Sequence, residues 1–171
     1  MNTKKFLFIL FCLLTCNGIF AQSLGKMTLG CSRADIQQTL PKSFRVCKAN
    51  TPNKVTYATN EGDEYVSFYL DNNLVNKIEM HKFVEFGSDA NRVKSKLEEL
   101  MMNLYEMWGE PSHIGENIYW QFPASKATVS YTVSTSQAEM DPLRLSGSSA
   151  ITTFYRCYAD IVLERRANLF E

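Results

Sequence analysis

The chain has no hydrophobic run long enough to cross a bilayer as a helix, which takes about 20 consecutive apolar residues. It has no C-x-x-C pair and no histidine beside a cysteine, so the ligand spacing of a zinc site is missing. Histidine occurs only as His81 and His113, and none of the G-x-S-x-G, H-E-x-x-H or P-loop signatures is present. No recognisable catalytic motif remains, and neither a catalytic residue, a metal site nor a cofactor is expected. Lysine and arginine are scattered and form no basic stripe able to neutralise phosphates, so nucleic acid is not expected as a partner. Low-complexity tracts are absent too. What is left is an ordinary composition, 45% hydrophobic and 21% charged, that suits a folded domain.

The first 21 residues read as a targeting segment. Lys4 and Lys5 precede the apolar run Phe6–Leu14, and Ala21 is a small residue at the expected cleavage point. Residues 22–171 then form one expected domain of 150 residues, enough to bury a core without staples. Removing Lys4 and Lys5 leaves 16 basic against 18 acidic residues, a net of −2. A competing reading concerns Leu13-Leu14-Thr15-Cys16, which resembles a lipobox in which Cys16 would be cleaved and lipidated; Thr15 departs from the usual small residue there. Membrane attachment is expected only on that second reading. Either way the expected location is outside the cytoplasm, in the periplasm or at the outer membrane of a Gram-negative bacterium. Of the cysteines beyond Ala21, Cys31 and Cys47 are the local candidates for a disulfide under oxidising conditions, and Cys157 would be left over.

The most strongly patterned stretch is Ser88–Pro111. Val93, Leu97, Leu100, Met101, Leu104 and Trp108 recur at helical spacing, Ser88 or Asp89 offers an N-cap, and Gly109 and Pro111 stop the helix. A shorter helix of two to three turns is expected from the Ser32 cap to Pro41. Strands are expected at Ser43–Lys48 and Val55–Thr59, and in a hairpin of Tyr65–Leu70 with Leu74–Lys82. A three-residue loop in that hairpin would pair Leu70 with Leu74 and Val66 with Ile78. A second hairpin is expected from Ile118–Phe122 and Ala127–Val133, then a long polar loop over Ser134–Ser149, then a last strand over Ile151–Arg165. Short connections argue for antiparallel pairing. The predicted fold is α+β: an antiparallel sheet with two helices packed on one face, built from tandem helix-plus-strands units.

The pattern Gly30-x-Ser32-x-x-Asp35-Ile36-x-x-x-Leu40-Pro41, echoed by Leu104-x-x-x-Trp108-Gly109-x-Pro111 and Trp120-x-Phe122, resembles small exported bacterial domains. These are the outer-membrane assembly lipoproteins of the SmpA/OmlA type and domains similar to the β-lactamase inhibitor protein. The resemblance covers about Leu29–Val133 and implies one continuous sheet and a role in binding proteins or envelope components rather than catalysis. The matching positions are caps and core, so no functional residue is carried over.

Function is therefore sought on the sheet face that the helices leave open. Tyr65, Tyr69, Tyr119 and Tyr158 fall on strand positions pointing away from the expected core, where exposed tyrosines suit recognition of a protein or other ligand. Tyr57 and Tyr155 belong to the same group of strand tyrosines. His81 and His113 are expected at solvated strand-end and turn positions, and Glu61, Asp63 and Glu64 in a solvated turn. Three readings compete: a non-catalytic envelope binding module, a structural lipoprotein held by Cys16, and a small hydrolase with a site near a histidine.

Overall fold

The computed structural model describes residues 23–47, 50–140 and 150–166. The expected targeting segment, Cys16 included, lies outside them. The fold is α+β with antiparallel strand pairing throughout. It begins with a small hairpin, β1 (Ser23–Leu24) and β2 (Met27–Thr28), turning at Gly25. One turn of helix follows, α1 (Ile36–Thr39), then β3 (Arg45–Val46), β4 (Lys54–Ala58), β5 (Tyr65–Asp71) and β6 (Leu74–Gly87). The long helix α2 (Ala90–Trp108) leads to β7 (His113–Ile114), β8 (Ile118–Gln121), β9 (Ser125–Met140) and β10 (Ala150–Arg165).

Strands β3 to β10 form one eight-stranded sheet in the order β3-β4-β5-β6-β10-β9-β8-β7. Two meanders thus meet where the longest strand of the first, β6, pairs with the last strand of the second, β10. Registers across β4, β5, β6, β10, β9 and β8 put apolar side chains in line. Val55, Phe68, Ile78, Leu163, Ala127 and Trp120 are successive cross-strand partners, and every one is buried. The neighbouring row runs Tyr57, Val66, Met80, Ile161, Val129 and Ile118. These rows share one buried cluster with Ile36 of α1 and with Leu104 and Trp108 of α2.

Helix α2 matches its sequence signals. The Asp89 carboxylate accepts from the backbone N–H groups of Asn91 and Arg92, and Gly109, at φ 77°, donates its N–H to the Tyr105 carbonyl. Its C-terminal end is clasped by aromatics. Trp108 Nε1 donates to the Ser23 carbonyl at 2.9 Å, Trp120 Nε1 to the Gly109 carbonyl at 2.8 Å, and the two indoles meet edge to face. Tyr105 and Met107, slightly off the apolar stripe, pack against the core as well.

Four expectations are corrected. The first helix is one turn, not two to three: the Ser32 hydroxyl donates to the Asp35 carboxylate at 2.6 Å instead of capping a backbone N–H, and residues 33–35 remain a turn. The β5–β6 turn has two central residues, Asn72 and Asn73, both at positive φ, which suits a tight hairpin. It pairs Leu70 with Val75, and Asn76 becomes an extra residue that restores Phe68 opposite Ile78 and Val66 opposite Met80. Val75 is therefore fully buried while Leu74 is 43% exposed. Strand β6 runs on to Gly87, past its expected end at Lys82. Finally, Ser134–Met140 is strand, not loop, paired residue for residue with Ala150–Arg156 of β10. This arm is solvated on both faces from Tyr131 to Ala138, so it lacks the buried apolar alternation that marks a strand in sequence. Residues 141–149 lie outside the described set.

Candidate functional site

On a strand, neighbouring side chains point to opposite faces. The residues between the apolar rows therefore build a second surface, and it is polar and aromatic. One row runs Lys54, Tyr69, Lys77, Glu164, Lys126 and Gln121; the next runs Thr56, Ser67, Glu79, Val162, Thr128 and Tyr119; a third joins Tyr65, His81, Asp160 and Ser130. All four candidate tyrosines, Tyr65, Tyr69, Tyr119 and Tyr158, stand on this face. Tyr57 does not: it is only 8% exposed and belongs to the core. Tyr155 has the same strand parity as buried Cys157 and also faces the other way.

The centre of the surface is a stack of rings. His81 lies between Tyr65, at 5.0 Å between centroids, and Tyr158, at 4.8 Å, with all three rings close to parallel. Phe83 meets the far side of Tyr158 edge on at 5.7 Å. His81 Nδ1 is 2.7 Å from Asp160 Oδ1. The expected solvated, strand-end position of His81 is thus corrected, because β6 continues past it and β10 supplies both the ring and the carboxylate. Beyond Phe83 a further pair, Phe86 stacked on Phe154, carries the Arg156 guanidinium over the Phe86 ring.

An ionic cluster flanks the stack. The Tyr69 hydroxyl donates to Glu79 Oε2 at 2.5 Å, and Lys77 Nζ lies 2.7 Å from Glu79 Oε1. The amines of Lys54 and Lys77 sit over the Tyr69 ring at 4.8 and 5.3 Å. Burial pushes the Glu79 carboxyl up, but the hydrogen bonds from Lys77 and Tyr69 outweigh it and hold the group below the usual carboxylate range. The same bond to Glu79 raises the Lys77 amine. On the β8 side, Tyr119 stacks on His113 at 5.0 Å and takes Lys126 over its ring at 5.6 Å. His113 is accordingly part of a two-residue strand, held against a ring rather than free in a turn.

The rings are ordered by one another and the charges beside them are paired, so these side chains keep little conformational freedom. An imidazole–carboxylate pair is also half of a nucleophilic triad, but such chemistry needs a hydroxyl or thiol on the other ring nitrogen. Among the described residues, none is hydrogen-bonded to His81. Nor do three or more metal-ligating side chains come together among them; Asp63 accepts from Thr59, and Glu64 pairs with Lys82. Cys31, Cys47 and Cys157 are free thiols, and burial raises those of Cys31 and Cys157. No helix among the described residues is long and apolar enough to cross a membrane.

The opposite side of the sheet holds a cleft. It has a volume of about 680 Å³ and lies among the sheet residues Val66, Met80 and Ile161, the α2 residues Leu100, Leu104 and Met107, and Leu24, Met27, Leu40 and Phe44. Its walls are mostly apolar.

No protein-family model and no curated protein matches this chain.

Proposed function

We propose that this chain is an exported, non-catalytic binding module that recognises a protein partner of the cell envelope through the polar-aromatic face of its sheet. In this reading α1 and α2 both cover the other face, and each heads one of the two four-stranded meanders as a tandem unit. The single observation that carries the proposal is the Tyr65–His81–Tyr158–Phe83 stack, which holds aromatic edges half-exposed on the central strands of the sheet. Tyrosine in a fixed rotamer offers large contact area at low entropic cost, and paired lysines and carboxylates around it supply a polar rim. The resemblance to SmpA/OmlA-type and inhibitor-protein-like domains implies a role of the same kind.

The test is affinity capture from an envelope extract with the parent chain and with separate alanine substitutions at Tyr65, Tyr69, Tyr119 and Tyr158. The variants should keep the parent's far-ultraviolet circular dichroism and lose the captured partner, with Tyr65 and Tyr158 losing most. Folded variants that still capture the same partner at parent levels overturn the proposal.

A further inference from the structure

The sheet has an unguarded edge in its interior. Strand β8 covers β9 only from Lys126 to Val129, whereas β9 runs on to Met140 with β10 on its other side. From Ser130 to Met140, therefore, one side of β9 has no neighbouring strand among the described residues. Alternate residues along an antiparallel edge aim both N–H and C=O outward, so this stretch presents a row of free main-chain donors and acceptors. Residues 131–138 are all exposed. The two outer edges of the sheet, β3 and β7, are only two residues long, and shortness is one of the usual protections against strand addition. Among the described residues, none of the usual protections is present on β9. The β9–β10 register has no bulge, and Ser130–Met140 contains no proline, no lysine and a single charge, Glu139.

We propose that two copies of this chain associate antiparallel along β9. The lack of charge over Ser130–Ala138 favours a second copy, because nothing on this edge repels itself and nothing selects an oppositely charged partner. The step where β8 ends also sets the register. A second β9 must enter in line with β8, and it fits beside all of Ser130–Met140 only when its own Met140 lies opposite Ser130. The two-fold axis then passes through Thr135, which faces the second copy's Thr135. Tyr131 and Val133, 51% and 46% exposed, share the Thr135 side and become cross-strand neighbours of the added strand. A two-fold axis normal to the sheet keeps equivalent faces on one side. The pair would thus present two polar-aromatic surfaces in the same direction, whatever those surfaces bind.

Sedimentation of the whole chain over a concentration series should show a monomer–dimer equilibrium. Thr135→Cys should form a covalent dimer under mild oxidation, well above the background from the native cysteines. Thr128→Cys, shielded between β8 and β10, should not. Thr135→Lys and Thr135→Glu should each weaken self-association on the order of a few-fold, since like charges then face each other, and an equal mixture of the two should restore it. A chain that stays monomeric throughout overturns the proposal. So does a dimer whose Thr135→Cys form crosslinks no better than Thr128→Cys, or one for which the two charge variants and their mixture behave alike.

Discussion

The two faces of the eight-stranded sheet are made from alternate residues of the same strands, yet they are held together by different physics. On one, rows such as Val55–Phe68–Ile78–Leu163–Ala127–Trp120 are sealed from water and joined to Ile36, Leu104 and Trp108 of the helices. Its stabilisation is hydrophobic burial, worth about 1.5–3 kcal/mol for each large side chain and indifferent to pH. On the other, half-exposed rings stack and charges pair across strands, and each contact contributes about 1 kcal/mol or less in a screened setting. One face determines whether the protein folds. The other contributes so little to stability that its residues can be changed with the fold kept.

Substitutions on the two faces should separate accordingly. The largest effect is expected from Trp120→Ala, which removes a fully buried indole packed against Trp108 and Tyr105. A loss of about 3–5 kcal/mol is expected in urea unfolding, with partner capture intact in whatever fraction remains folded. A loss below about 1 kcal/mol would mean that the core is not where the rows place it. Tyr158→Ala comes next. It deletes the ring between His81 and Phe83, and its expected cost is about 1–2 kcal/mol, against a large loss of capture. Asp160→Asn replaces the carboxylate that lies 2.7 Å from His81 Nδ1, with an expected cost of about 1 kcal/mol or less because the Asp160 side chain is 45% exposed.

The smallest effect is the one with a pH signature. The folded-state pKa of Glu79 lies below its unfolded value, so its contribution is complete above the unfolded pKa and is lost as pH falls through the folded one. Glu79→Gln should be slightly less stable than the parent at neutral pH. The gap should close as pH falls below about 4. A gap unchanged at low pH would show that the Tyr69–Glu79–Lys77 cluster does not control the ionisation of Glu79.

What could be read from sequence follows the range of the interactions involved. Helix α2 was legible because its cap, stripe and stop, from Asp89 to Pro111, all act within a few residues of one another. The outward direction of Tyr65, Tyr69, Tyr119 and Tyr158 was legible because strand alternation is equally local. The contacts of His81 were not. Asp160 lies 79 residues away, and the stack with Tyr158 depends on the register between β6 and β10, including a bulge that leaves Val84 without a partner. The outer half of β9 was missed for another reason. Its strand conformation is held by main-chain bonds to β10 alone, and such bonds leave no imprint on the hydrophobic pattern.

The pairing of β6 with β10 also has a consequence in time. Each meander grows by hairpins between strands that follow one another, but β6 meets β10 only after the chain has closed a loop containing α2 and three strands. Both apolar rows pass through that junction, at Ile78–Leu163 and Met80–Ile161, so neither meander completes a row alone. Most of the hydrophobic gain is deferred until the costliest closure has been made, which is the recipe for slow, all-or-none folding.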